Sequence, residues 1–184
     1  AEADDLLNQI FTADYNAAQL PYTNFWKGEI AFRNNEFDSA IYYLGNYMRN
    51  PANYGEVNIT NARYTLGYSA LRQEDYVNAL KYFEQISTSI TTNAKPVELD
   101  AYTKSVDCYF MQKKFSKALQ MYDNIINNNL AQADYALYQK AIIAGAGSKY
   151  TEKISLLQSI SARFPNSVMV PDANMEVANT YLAN

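Results

Sequence analysis

The chain contains no histidine and a single cysteine, Cys108. The absence of histidine excludes His-based catalytic triads and His/Cys zinc sites, and one cysteine cannot form a disulfide within the chain. Glycine and proline are also scarce, with 6 and 5 residues among 184, below the usual shares of about 7% and 5%. This shortage argues against disordered, collagen-like and loop-rich β structures.

Long apolar runs and clusters of positive charge are missing as well. Apolar residues make up 48% of the chain, yet no stretch approaches the roughly 18 uninterrupted apolar residues that a membrane span needs. The net charge is −4, and the 15 basic residues are scattered, so they offer no basic patch to a phosphate backbone. We therefore expect one domain, with no membrane span and no nucleic-acid partner.

Carboxylates are the only plausible catalytic groups that remain. The acidic pairs, such as Glu74 and Asp75, lie near predicted helix starts, where acids cap free N–H groups and favour the helix dipole. The sequence has no glycine-rich phosphate loop, nucleophile elbow or cluster of metal ligands. We expect a non-enzymatic protein with no catalytic residues, no cofactor and no metal.

The sequence repeats with a period of 39 residues, which separates Ala40, Ala79 and Ala118. Each alanine is preceded by an aromatic residue at three positions and followed by a large apolar residue at four positions, which is helical spacing. The aromatic residues are Phe37, Tyr76 and Phe115, and the apolar residues are Leu44, Phe83 and Tyr122. A diverged fourth copy follows 35 residues later, with Lys153 at the alanine position.

Each copy divides into two helical segments at a short polar turn, and the turns are 34–36, 73–75, 112–114 and 147–149. Small residues on the first segment, Gly28, Gly67 and Ala141, stand twelve positions before the repeated site on the second. These small residues predict a close crossing of the two helices. The pattern therefore predicts helical hairpins in tandem.

These residues resemble the tetratricopeptide repeat family, whose hairpin has a small residue in its first helix and an aromatic, an alanine and a second aromatic in its second helix. The match is good for Gly28/Phe37/Ala40 and for Gly67/Tyr76/Ala79/Phe83. The third copy departs from the pattern at Val106 and the fourth at Lys153. The resemblance implies an all-α fold, a right-handed α-solenoid of antiparallel helix hairpins.

The hairpins predicted in this way cover 21–55, 56–95, 96–131 and 132–169. We interpret 1–20 as an N-terminal helix left from a preceding repeat, and 170–184 as the first helix of a truncated fifth repeat. Three of the four copies exceed the family's roughly 34 residues, and we expect the extra residues to lie in the loops between hairpins.

The segment 164–167, Phe-Pro-Asn-Ser, followed by Asp172-Ala173, is similar to the repeat joints of one bacterial group of tetratricopeptide proteins. These are the Tol-Pal accessory and outer-membrane-assembly proteins of the cell envelope. The similarity implies a periplasmic or outer-membrane-associated location.

The resemblance also implies a binding surface, because ligands of the family normally lie on the concave surface lined by the first helices. The equivalent positions in this sequence are Phe25, Glu29, Phe32, Arg33, Tyr64, Tyr68, Arg72, Thr103, Asp107 and Tyr138. Some members of the family hold a C-terminal carboxylate with a Lys and an Asn one turn apart. This chain has Phe25/Glu29 and Tyr64/Tyr68 there, so we expect no such clamp.

Tyrosine side chains offer a large contact area at low entropic cost, which suits an extended peptide or a partner helix. An equally weighted interpretation is that several of these residues are half-buried between repeats. The repeated aromatic and apolar residues, and Cys108 beside them, are expected in the core.

Two functional hypotheses follow. The first is a protein–protein interaction scaffold that binds a partner segment in the groove of first helices, with self-association through the open C-terminal repeat. The alternative is a glycan-binding or nutrient-uptake surface lipoprotein component, in which exposed aromatic residues stack on sugars.

Overall fold

A computed structural model describes residues 2–12 and 18–183. Residues 1, 13–17 and 184 lie outside the described residues, so parts of the predicted terminal segments 1–20 and 170–184 do too. The described chain forms ten helices: α1 Glu2–Thr12, α2 Leu20–Arg33, α3 Phe37–Arg49, α4 Ile59–Arg72, α5 Tyr76–Glu84, α6 Pro96–Met111, α7 Phe115–Asn127, α8 Ala133–Ala146, α9 Tyr150–Arg163 and α10 Val170–Ala183. The prediction of an all-α helical repeat is confirmed.

The chain divides into two compact units. The first consists of Ala1–Thr88 with Pro96–Cys108, and the second of Ser89–Lys95 with Tyr109–Asn184. Within the first unit α2 packs on α3, α3 on α4 and α4 on α5, and within the second α7 packs on α8, α8 on α9 and α9 on α10. Among the described helices, none combines the length and apolarity that crossing a bilayer requires.

The two helices of each repeat are joined by the same three-residue turn. Its middle residue has a left-handed backbone, with φ between 59° and 62° at Asn35, Glu74, Lys113 and Ser148. The next residue donates its N–H five positions back, as in Glu36 N to Ala31 O at 2.8 Å and Lys149 N to Ala144 O at 2.9 Å. This bond satisfies a carbonyl at the end of the first helix. The direction of the chain is therefore reversed over only three residues.

The first two hairpins cross closely at Gly28 and Gly67. A Cβ atom on Gly28 would lie 2.5 Å from Leu44 Cγ, and one on Gly67 would lie 2.7 Å from Phe83 Cε1. Both distances are shorter than van der Waals contact allows, so a larger residue would separate the helices. The small residues therefore mark the crossing, as the sequence predicts, with the large apolar residues of the second helices facing them.

The fourth hairpin accommodates Lys153 in place of the repeated alanine. The aliphatic stem of Lys153 lies against Gly145, where an added Cβ would be 2.8 Å from Lys153 Cδ. Its ammonium group pairs with Glu176 Oε2 of α10 at 2.6 Å, and the side chain is only 14% exposed. A glycine and a carboxylate on neighbouring helices thus compensate for the larger, charged side chain.

The residues beyond the usual repeat length lie between hairpins, mainly in 50–58 and 85–95. Hydrogen bonds stabilise the 50–58 loop. Tyr54 and Val57 exchange backbone hydrogen bonds of 2.8 and 3.0 Å, and the Tyr47 hydroxyl donates to the carbonyl of Ala52. Val57 is buried in the core of the first unit against residues of α2, α3 and α4, so this loop is part of the packed structure.

Replacing Gly67 with alanine is expected to lower the free energy of unfolding by about 1–3 kcal/mol, because the new methyl group overlaps the packed Phe83 ring. Gly45, in the interior of α3, provides the matched control because an added Cβ there meets no atom within 4 Å. Gly45→Ala should raise the free energy of unfolding by about 0.5–1 kcal/mol through helix propensity. Urea unfolding followed by circular dichroism measures both, and equal stabilisation by the two changes would contradict the close crossing.

Candidate functional site

Nine of the ten residues predicted to line the groove belong to the first unit, and Tyr138 belongs to the second. The nine lie on α2, α4 and α6, the first helices of three successive repeats. Within the first unit α2 packs directly against α4.

A cavity of about 300 Å³ opens where α2, α4 and the 50–58 loop meet. It is lined by Phe25, Trp26, Glu29 and Arg33 of α2, by Glu56 of the loop, and by Asn61, Tyr64 and Thr65 of α4. The cavity therefore brings together four of the residues chosen from the sequence and adds four that sequence reasoning missed.

Phe25 and Trp26 form the α2 side of the cavity. Phe25 is 2% exposed and packs edge-on against Tyr47 of α3 at a ring-centroid distance of 5.3 Å. Trp26 packs perpendicular to Phe25 at the same distance and is 38% exposed. The buried Phe25 ring thus holds the exposed indole in place.

The two carboxylates of the cavity accept hydrogen bonds from α4. Thr65 Oγ1 donates to Glu29 Oε1 at 2.5 Å and links α2 to α4. Asn61 Nδ2 donates to Glu56 Oε2 at 3.1 Å and to the Glu56 carbonyl at 2.8 Å. The Asn61 N–H is itself bound by the helix-capping side chain of Asn58 at 2.8 Å. These contacts hold the loop against the start of α4.

Tyr64 and Tyr68 are half-buried, and both hydroxyls donate to Asp100 Oδ2 of α6, at 2.7 and 2.6 Å. Their rings lie 4.8 Å apart and both contact Phe83. Burial raises the pKa of both tyrosines, and the Asp100 carboxylate raises it further. The hydroxyls thus join two repeats, while the ring of Tyr64 still lines the cavity.

The other predicted groove residues occupy different environments. Phe32 is half-buried against Phe37, Thr103 is buried with its hydroxyl donating to the Leu99 carbonyl, and Asp107 pairs with Lys104 at 3.1 Å. Arg33 and Arg72 are exposed and form no ion pair within the described part of the chain.

Tyr138 of the second unit is half-buried. Its pKa is raised by burial and then by the carboxylates Glu176 and Asp172 of α10. It therefore lies beside α10.

In the described ranges no group of three or more His, Cys, Asp or Glu residues could hold a metal ion. Cys108 is fully buried, and burial, followed by the nearby Asp107 carboxylate, raises its pKa to about 12. Its thiol is therefore protonated at neutral pH and packs as a small apolar group.

Two of the missed residues, Trp26 and Thr65, could have been found from the sequence. Thr65 stands three and seven positions before the predicted groove residues Tyr68 and Arg72. Trp26 stands three and seven positions before Glu29 and Arg33, which is the spacing of one helix face. Glu56 carries no such signal, because its place depends on how the 50–58 loop folds against α4.

The Tyr64/Tyr68/Asp100 contact should make stability depend on pH in the alkaline range. The pKa of Tyr68 lies well above its ordinary value of 10.0, so the folded chain holds the phenolic proton more tightly than the unfolded chain does. The stabilisation that this difference gives to the folded chain is complete below pH 10, and it is lost as the pH rises above 10. Replacing both tyrosines with phenylalanine should flatten the alkaline decline in the free energy of unfolding.

At pH 7 the free energy of unfolding of the same double variant should be lower by at least about 1.5–3 kcal/mol, because the variant removes two hydrogen bonds to a charged group and a single such bond contributes that much. Urea unfolding at pH values from 7 to above 10 measures both effects. Tyr54→Phe, at an exposed tyrosine of the same unit, is the control and should leave both unchanged. An identical alkaline decline in the wild type and the double variant would argue against the contact.

A family model described as a tetratricopeptide repeat matches residues 135–167. A search of curated proteins returns no match. The matched residues comprise most of α8, all of α9 and the joint that follows, so the hairpin that carries Lys153 in place of alanine is the one that matches. The chain thus contains a tetratricopeptide repeat at 135–167, a kind of repeat that usually binds protein partners.

Proposed function

We propose that the chain is a protein–protein interaction scaffold without enzymatic activity, and that the surface formed by α2, α4 and α6 of the first unit binds a partner segment. The observation that carries this proposal is the open cavity between α2 and α4, together with an aromatic ring and two guanidinium groups that are exposed on the same two helices. Trp26 is partly exposed beside the cavity, and the guanidinium groups of Arg33 and Arg72 are exposed at the ends of the two helices. Tryptophan and arginine are the residues that most often dominate binding energy at protein interfaces.

Hydrogen bonds between the helices stabilise the same surface. The Thr65–Glu29 bond joins α2 to α4, and the bonds from Tyr64 and Tyr68 to Asp100 join α4 to α6. A preorganised surface loses little conformational entropy on binding, which leaves more of the contact energy for affinity.

We extend the proposal to the repeat division and to the location of the protein. The hairpins at 21–55, 56–95, 96–131 and 132–169 each act as one repeat, and the chain works in the periplasm or at the outer membrane of a bacterial envelope. The joint at Phe164–Ser167, the single cysteine and the abundance of tyrosine support this assignment.

Capture of partners from an envelope extract of the source organism tests the binding surface. A Trp26→Ala/Arg72→Ala variant removes one aromatic and one cationic contact from the first helices. It should reduce capture of a specific protein at least tenfold, as expected for two interface residues of these types. Quantitative mass spectrometry of the captured proteins measures the loss.

Tyr42→Ala/Arg49→Ala is the matched control, because it removes the same types of exposed side chain from α3, the second helix of the first hairpin. It should retain the partner. Equal retention by both variants, or loss only in the α3 variant, would place binding on another surface. Saturable binding of an oligosaccharide with no captured protein would favour the glycan-binding alternative.

We also propose self-association through α10. One face of α10 packs on α9 with Ala173 and Thr180 buried. Its other face exposes Met175, Tyr181 and Leu182, the last at 87%. A second copy presents the same apolar face, and two such faces can bury each other in a twofold dimer.

The average mass measured by sedimentation equilibrium should rise toward that of a dimer as the concentration increases. Met175→Glu/Leu182→Glu should keep the chain monomeric at concentrations where the wild type associates, because each dimer would bury unpaired carboxylates. Val77→Glu, at an exposed position of α5, should associate as the wild type does. A wild-type chain that stays monomeric at high concentration would refute self-association.

A further inference from the structure

The cavity between α2 and α4 has a composition that selects one kind of side chain. Its volume of about 300 Å³ is at the lower end for ligand sites, which suits one side chain of a partner segment rather than a large ligand. The residues that line the cavity indicate which charge that side chain carries.

Aromatic rings form two sides of the cavity, and each packs against neighbouring rings. Trp26 packs perpendicular to the Phe25 ring. Tyr64 is held by its bond to Asp100 and by its contacts with Tyr68 and Phe83. The face of an aromatic ring attracts a cation, and tryptophan does so most strongly.

Two carboxylates line the same cavity, each already oriented by a neutral donor. Glu29 accepts from the Thr65 hydroxyl and Glu56 from the Asn61 amide. An ionised carboxylate has about four acceptor positions, so one bond orients each group and leaves the others for a ligand. Neither donor neutralises the charge, and neither carboxylate has an ion-pair partner among the residues that the structure describes.

Arg33 is the single positive charge among the described residues of the lining. It lies one helical turn beyond Glu29 on α2 and has no carboxylate within ion-pairing distance in the described ranges. With two carboxylates against one guanidinium, the lining carries a net negative charge. Arg33 would oppose a cationic ligand and attract an anionic one, so its removal distinguishes the two.

We propose that this cavity binds the cationic side chain, lysine or arginine, of the protein segment that the scaffold recognises. The ammonium or guanidinium group lies between the aromatic rings of Trp26 and Tyr64 and donates to Glu29 and Glu56. This assignment rests on the proposed function and names the chemistry of the partner residue at that site.

The test uses Trp26, which is the only tryptophan of the chain, so its fluorescence and its indole N–H resonance report on this cavity alone. The probe is Nα-acetyl-lysine N-methylamide, with the norleucine and glutamate analogues as uncharged and anionic comparisons. The lysine compound should change the signals of Trp26 saturably, and the norleucine and glutamate compounds should bind at least tenfold more weakly. Added salt should weaken binding of the lysine compound, because salt screens the attraction between partly exposed charges.

Charge variants supply the decisive comparison. Glu29→Gln and Glu56→Gln keep the shape of each side chain and should each weaken binding of the lysine compound about three- to tenfold. Arg33→Gln should strengthen it by a similar factor. Glu36→Gln, at an exposed glutamate outside the cavity, should leave it unchanged.

Tighter binding of the glutamate compound, equal binding of lysine and norleucine compounds, or weaker lysine binding in Arg33→Gln would each overturn the proposal. So would the absence of any change in both Trp26 signals. If the lysine compound does not bind but Trp26→Ala/Arg72→Ala still loses its protein partner, the scaffold function is supported and the cation site is refuted. If that variant retains its partner, the scaffold surface itself is misplaced, whichever compound binds.

Discussion

The close crossing of two helices in each hairpin is the constraint on which the first unit depends. Because the turn has only three residues, the second helix must run back directly along the first. At Gly28 and Gly67 the return brings Leu44 and Phe83 onto the backbone of the first helix. That contact turns the other face of the first helix away from the second helix, and the proposed binding surface lies on that face.

The polar contacts between repeats depend on the same arrangement. Because the first helices lie side by side, Thr65 reaches Glu29 across a sequence separation of 36 residues, and Tyr64 reaches Asp100 across the same separation. These bonds align the repeats and fix the side chains around the cavity. The cavity is therefore a product of repeat stacking, since no single hairpin contains all of its walls.

The exceptions to the repeat pattern are compensated locally. Lys153 stands where the other three copies have alanine. Gly145 provides the space for its long side chain, and Glu176 pairs with its charge. The added 50–58 loop buries Val57 in the core and places Glu56 at the cavity. Additional length between repeats thus supplies a wall that a shorter repeat would lack.

The sequence alone determined the helical hairpins, their turns and the glycine crossings, because periodicity and residue size are local properties that recur at fixed spacing. It also indicated four of the residues around the cavity. It could not determine that the Tyr64 and Tyr68 hydroxyls converge on Asp100, or that Glu56 reaches the cavity. Those contacts join residues from different helices and a loop, and their positions are set only when the repeats pack against one another.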